Sequence, residues 1–319
     1  MSEKLSIAVV IPCYRVKNSI IELIESIPFD VSNIIVIDDS CPDGTGKFVE
    51  SKTQDKRVRV LYNDQNLGVG GAVKTGYRFA LSANADIIVK LDGDGQMDPN
   101  LISVLIEPIK AHRADYAKGN RFFNIENIRN MPKQRIFGNL VLSFFAKFST
   151  GYWRIFDPNN GFTAITSSVL RKLDLEKIDN RYFFESDMLF RLNLARAVVI
   201  DVPMESKYGS EVSNLNVKRA VGEFPIKHCR NFFKRVAYTY YLRDFTLASL
   251  ELPIGLGLTL FGITSGLLNF LQSQNLNQET VPGTLILVSM SILVGLQLIL
   301  SFFAYDIDSA PIDPIGKVS

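Results

Sequence analysis

Ile87-Ile88-Val89-Lys90-Leu91-Asp92-Gly93-Asp94-Gly95-Gln96-Met97-Asp98-Pro99 is the stretch whose reading decides the fold. Its first half is a short β-branched run, the pattern of a strand buried on both faces. Its second half is an acidic turn carrying two small glycines. Asp98 then stands as an N-cap and Pro99 at the first turn of a helix over residues 98–112. A strand that passes through such a turn into a helix is the repeating unit of an open α/β sheet, and these sheets bind ligands beyond the C-terminal ends of their strands.

Moving outward, further β-branched runs occupy residues 7–12, 34–39, 58–63 and 198–203, and stretches with apolar positions three and four apart fill 18–27 and 70–82. The alternation predicts a Rossmann-like α/β domain over residues 1–206 with crossover helices between its strands. The opening run is too short for a secretory signal or a spanning helix. Cys13, Cys41 and Cys229 form no CxxC pair, and His112 and His228 stand alone, so neither a disulfide framework nor a zinc site is expected. A net charge of +2 gives no reason to expect a nucleic-acid partner.

The second part of the chain changes character. Residues 207–243 interleave Lys218, Arg219, Lys227, Arg230, Lys234 and Arg235 with Val221, Phe224, Phe232 and Val236, the pattern of a basic amphipathic helix on an anionic lipid surface. A charged helix packed on the α/β domain is the plainer alternative. Within 244–304, residues 252–271 and 281–304 hold no charged side chain, enough for two transmembrane helices. Their connector lacks Lys and Arg, which places it outside and both termini, with the 305–319 tail, in the cytoplasm. Gly262 and Gly266 form a GxxxG pair, a device for close helix approach that makes a homo-oligomer an expectation.

Three motifs carry chemistry. Asp92 and Asp94, two apart in an extended segment, project the same way and can converge on a hard divalent cation, Mg2+ or Mn2+, held by diphosphate oxygens. Asp39, in Ile37-Asp38-Asp39-Ser40, ends another strand and suits the N–H groups of a base or the hydroxyls of a ribose. The stretch Asn66–Gly76 is rich in glycine, yet Val73 precedes Lys74 where a Walker loop needs glycine. Close backbone approach to a nucleotide is the expectation there, with Gly68 and Lys74 in the donor site.

In order and spacing these motifs resemble those of the family 2, GT-A-fold glycosyltransferases, in particular the polyprenyl-phosphate group that includes dolichyl-phosphate mannose synthases and bactoprenol glucosyltransferases. Pro12-Cys13-Tyr14, Asp38 to Thr45, Asn66 to Gly76, Asp92-Gly93-Asp94 with Gln96 and Pro99, Gly119-Asn120-Arg121 and Asp157 to Phe162 each match an element of that pattern. The resemblance implies that Pro12, Tyr14 and Asp39 hold base and ribose. It assigns the metal to Asp92 and Asp94 with Gln96 beside them, phosphates or sugar to Arg121, and the acceptor side to Asp157. The chain departs from the mannose synthase pattern at Phe184-Glu185-Ser186-Asp187, whose carboxylates Glu185 and Asp187 could orient the sugar or act as a base, and at Lys207-Tyr208-Gly209-Ser210. Lys207 and Ser210 are assigned to the acceptor phosphate.

The activity implied is inverting transfer of a sugar, with UDP-glucose the first choice and GDP-mannose the alternative, to a polyprenyl phosphate on the cytoplasmic face of a bacterial plasma membrane. A processive polysaccharide synthase fits less well, because the only tryptophan, Trp153, lies outside any QxxRW element. A scaffold that had lost catalysis would be expected to lack Asp92, Asp94 or Asp157, and all are present.

Overall fold

The computed structural model describes residues 5–123, 133–204, 217–276 and 279–316, with the backbone alone for 133–135 and 217–221. Lys207 and Ser210 lie outside the described residues, as do the side chains of Lys218 and Arg219. The chain divides into two compact units. One runs to Phe232 and takes in the chain again from Pro311; the other is Phe233–Ala310.

In the first unit, β1 (Ile7–Cys13), α1 (Lys17–Glu25), β2 (Asn33–Asp38), α2 (Thr45–Lys52), β3 (Val58–Tyr62), α3 (Val69–Ser82), β4 (Ile87–Lys90) and α4 (Ile102–Lys110) follow the expected alternation. Asp98 accepts a hydrogen bond from the Asn100 N–H at 3.0 Å and opens a short 3-10 turn before α4. Beyond it come β5 (Tyr116–Asn120), α5 (Lys133–Thr150), β6 (Thr163–Thr166), α6 (Phe184–Leu194), β7 (Val199–Pro203) and α7 (Val217–Ala237), the last of which crosses the boundary between the units.

The strands form one seven-stranded mixed sheet in the order β3-β2-β1-β4-β6-β5-β7. Strands β1 to β4 are mutually parallel, while β6 runs antiparallel to both β4 and β5. Alternate residues of β1 feed two cores. Val9 and Ile11 pack with Ile20 and Leu23 of α1 and Leu105 of α4, whereas Ala8 and Val10 pack with Val73 and Tyr77 of α3 and Leu189 of α6. Covering both faces explains why β1, β2 and β4 read as continuous apolar runs. Strands β5 and β6 escape a hydropathy reading: Tyr-Ala-Lys-Gly-Asn and Thr-Ala-Ile-Thr are short and half polar, and their pairing partners make them strands.

The chain from Pro311 belongs to this same unit. The Ile315 N–H donates to both Asp115 carboxylate oxygens, at 2.9 and 3.0 Å.

The second unit contains α8 (Leu247–Leu276) and α9 (Pro282–Asp308), both long and apolar enough to cross a membrane. They form an intimate hairpin. A Cβ on Gly262 would lie 2.6 Å from Ile292 Cγ1, and one on Gly266 would lie 3.0 Å from Val288 Cγ1. The GxxxG pair is therefore used within this chain's own hairpin. Asp306 is buried in a bidentate pair with Arg235 and accepts from the Tyr240 hydroxyl at 2.6 Å, while Ser301 donates to Glu251 at 2.7 Å. The Asp306 charge is thus neutralised within the unit, and the Glu251 carboxylate is hydrogen-bonded there.

Candidate active site

The sheet reverses direction of build between β1 and β4, the switch point at which open α/β sheets bind ligands. The C-terminal ends of β1, β2 and β4 bring Pro12, Asp38, Asp39 and the Asp92–Gln96 turn to this place.

Each acidic group has a distinct local task. Asp38 is committed to the backbone, accepting from Cys41 N at 2.7 Å and Gly46 N at 2.6 Å. Asp39 accepts from the Asn63 side chain and from the Leu67 and Gly68 N–H groups, at 2.7, 3.0 and 2.8 Å. A carboxylate offers about four lone-pair sites, so Asp39 braces the loop before α3 and keeps little capacity for a ligand. Tyr14 is exposed, with the Arg15 guanidinium over its ring.

The glycine-rich stretch meets protein rather than open space. Gly68 has φ +84°, and a Cβ there would lie 2.8 Å from the Asn180 carbonyl oxygen. A Cβ on Gly70 would come 2.4 Å from the Asp179 carbonyl oxygen, and one on Gly76 would come 2.4 Å from Val10 Cγ1. These glycines let α3 sit close to the sheet and to the loop before α6. Lys74 belongs to the same packing: it is buried and donates to the Ile178 carbonyl at 3.0 Å, and burial lowers its pKa.

The acidic turn is anchored on both sides. Ser19 Oγ donates to the Gly93 carbonyl at 2.8 Å, and Gln96 N donates to Asp94 Oδ1 at 3.0 Å. Asp92 Oδ1 lies 2.7 Å from Nζ of Lys90, a wholly buried lysine that also contacts Glu185 Oε1 at 3.1 Å and the Gly161 carbonyl at 3.2 Å. Burial works against the Lys90 charge, but Asp92 and Glu185 prevail and raise its pKa. Burial also pushes the Glu185 carboxyl up, against the opposing pull of Lys90. A Cβ on Gly161 would lie 2.2 Å from Asp92 Oδ2 and 2.4 Å from Lys90 Nζ, so a side chain there would displace one of the two charged groups.

Among the described residues no group of three or more His, Cys, Asp and Glu side chains could hold a metal ion. The hard oxygens of Asp92 and Asp94 suit Mg2+ or Mn2+ provided that other oxygens, such as those of a diphosphate, complete the shell.

Arg121 and Asp157 face each other, the guanidinium Nε and Nη2 each 2.7 Å from one carboxylate oxygen. Asp157 is fully buried with φ +53°, and Asn160 donates to it at 3.2 Å. Burial would raise its pKa, but the Arg121 hydrogen bonds and charge outweigh that and lower it. Asp187, although in the first turn of α6, accepts from Asp179 N, Arg191 Nε and Asn231 Nδ2, at 3.0, 3.2 and 2.9 Å. Its oxygens tie α6 to α7. Lys90 is the residue that sequence reasoning overlooked; a lysine closing an otherwise apolar strand was the available signal.

Residues 8–174 match the glycosyl transferase family 2 domain. A UDP-N-acetylglucosamine–dolichyl-phosphate N-acetylglucosaminyltransferase of Methanococcus voltae is 32% identical over 65% of this chain and 88% of that protein. A polyprenol monophosphomannose synthase of Mycolicibacterium smegmatis is 30% identical over 59% of this chain and 73% of its own length. An undecaprenyl-phosphate mannosyltransferase of Micrococcus luteus is 30% identical over 54% and 71%. The crystal structure of glucosyl-3-phosphoglycerate synthase from Mycobacterium tuberculosis with Mn2+ and UDP-glucose shares the fold at TM-score 0.54 and 18% identity, covering 72% of this chain and 79% of that one. A mixed sheet with an acidic turn at its switch point, matched over half the chain by one domain family, has one reading: the chain belongs to glycosyl transferase family 2.

Proposed function

We propose that this glycosyltransferase moves a sugar from a nucleotide diphosphate to a polyprenyl phosphate at a membrane surface, with inversion at the anomeric carbon. The observation that carries the reading is the joining, in one chain, of the Asp92–Asp94 turn at a family 2 switch point to two helices apolar enough to span a bilayer. The activities of the three relatives, each with a polyprenyl or dolichyl acceptor, support it. So does α5, whose Phe137, Leu140, Val141 and Phe144 recur three and four residues apart and remain exposed, as a helix resting on lipid requires.

The donor diphosphate lies at the Asp92–Asp94 turn, with Pro12, Tyr14 and Asp39 toward the nucleoside and Glu185 toward the sugar. Asp92 and Asp94 would hold a divalent cation, which would supply Lewis-acid neutralisation of the diphosphate charge. Arg121 adds a fixed positive charge where the leaving group gathers its negative charge. Asp157, clamped by that arginine, orients it and takes no proton. No strong base is called for, because a phosphate monoester with a second pKa of about 6 is substantially a dianion at neutral pH. One phosphate oxygen forms the bond to the anomeric carbon as the bond to the diphosphate breaks, and the electron pair leaves with the nucleotide. Lys207 and Ser210 hold the acceptor phosphate in this scheme.

Two spans return the chain to the side it left, and the bonding of Ile315 to Asp115 within the catalytic unit supports placing both termini on one side, the cytoplasmic one by the positive-inside rule. UDP-glucose is the first donor to try; a mannosyl donor is the second reading, favoured by the names of two relatives. Purified protein incubated with a polyprenyl phosphate and radiolabelled UDP-glucose, UDP-N-acetylglucosamine or GDP-mannose tests the proposal. A labelled lipid product with one of them is expected, and none with any would refute it.

A further inference from the structure

The buried Lys90 is enclosed by two carboxylates and a backbone carbonyl, donating to Asp92 and Gly161 and forming an ion pair with Glu185. An ammonium carries three N–H donors, and Lys90 Nζ has Asp92 Oδ1, Glu185 Oε1 and the Gly161 carbonyl around it at 2.7, 3.1 and 3.2 Å. The three partners come from the turn after β4, the loop before β6 and the first turn of α6. The lysine side chain is 0% exposed, whereas those of Asp92 and Glu185 keep 28% and 10%. Both carboxylates thus retain access to solvent while the cation between them has none. Two carboxylates on one side of a pocket repel, and in the absence of a shared cation one of them turns away or takes up a proton.

We infer that Lys90 is a positioning residue that couples the diphosphate end of the donor site to its sugar end, holding Asp92 and Glu185 as one unit so that a nucleotide sugar is gripped at both. The inference rests on reading this cleft as the nucleotide-sugar site. Glu185 accepts hydroxyls of the transferred sugar with the oxygen that Lys90 leaves available. Asp92 meets the diphosphate. Because one ammonium serves both, a change at either carboxylate is felt at the other. Gly161 is the third support: its carbonyl accepts from the ammonium, and a side chain there would crowd Lys90 and Asp92.

The test is binding of UDP, UDP-glucose, GDP and GDP-mannose, with Mn2+ or with EDTA, by titration calorimetry on the full-length protein in detergent. Comparing each sugar nucleotide with its diphosphate isolates the contribution of the sugar. For Lys90→Met, nucleoside diphosphate binding in EDTA is expected to stay within twofold of wild type, while the advantage of the sugar nucleotide in Mn2+ falls at least tenfold. Glu185→Gln should lose the same advantage, and the double variant should lose no more than either single one. A lysine that merely fills space would weaken all ligands alike, and that result would overturn the inference, as would additive losses in the double variant. Should Lys90→Met not fold, Glu185→Gln examines the coupling from the other side. With a neutral amide at position 185, Asp92 is the one carboxylate left to pair with Lys90, so Mn2+ affinity of the UDP- or GDP-bound protein, followed by electron paramagnetic resonance, should weaken at least threefold; unchanged affinity would overturn the inference. If wild-type protein bound none of the four nucleotides, the nucleotide-sugar reading itself would fall. Normal wild-type binding with indifferent variants would remove only the role of Lys90.

Discussion

Arg121 and Asp157 are joined by two parallel hydrogen bonds of 2.7 Å, and the carboxylate has no exposure to solvent. A bidentate pair of this kind fixes the guanidinium plane, and leaving one partner alone in the interior costs about 3–5 kcal/mol. Asp157→Ala is therefore expected to destabilise the first unit by roughly 3 kcal/mol and to lower transfer sharply. The pH dependence has a definite sign. The folded carboxyl titrates below its unfolded value, so the pair contributes fully above the unfolded pKa of about 4 and is lost as pH falls through the folded one. Urea unfolding of wild type and Asp157→Asn between pH 3 and 7 should show a stability gap that narrows toward the acid end. A gap independent of pH would contradict the ionised pair.

Asp94→Asn is expected to keep the fold and to reduce metal-dependent transfer by about a hundredfold, since an amide is a weaker ligand than a carboxylate and neutralises less of the diphosphate charge. Initial rates over a Mg2+ and Mn2+ series measure this. Wild-type turnover in the variant would remove Asp94 from the site.

Gly161→Ala places a methyl within 2.2 Å of Asp92 Oδ2 and 2.4 Å of Lys90 Nζ, so the ion pair between them has to shift to admit it. Overpacking of this order costs roughly 1–3 kcal/mol. The melting temperature should fall and Mn2+ binding weaken together. An unperturbed variant would show that the loop yields.

Lys207→Ala addresses the acceptor. The apparent requirement for polyprenyl phosphate should rise several-fold, with affinity for the nucleotide sugar unchanged, so that the two substrates separate kinetically. Impaired donor binding by calorimetry with a normal lipid requirement would move this residue to the donor site.

Protease applied outside sealed cells should reach only the connector near Gln274, because both ends of the hairpin lie on the cytoplasmic side in the proposed topology. Cleavage within residues 1–200 would overturn that orientation.

Local patterns were sufficient for a good part of this architecture. The strands β1 to β4 and β7, the acidic turn after β4, the Asp98 cap and the two long apolar helices each lie within a single window of sequence, where periodicity, branching or absence of charge is the physical signal. The pairing of β5 and β6 was not legible, because their residues are half polar and become strands through partners far along the chain. The same holds inside the site. Sequence order shows Lys74 and Asp187 as polar groups without partners, but only the folded chain reveals that they bond to Ile178 and Asn231. Lys90 and Glu185 stand on different elements, so their meeting depends on how α6 packs against β4. Hydrogen-bond valence is a three-dimensional property: composition and spacing determine which donors and acceptors exist, and tertiary contacts decide which of them remain for a substrate.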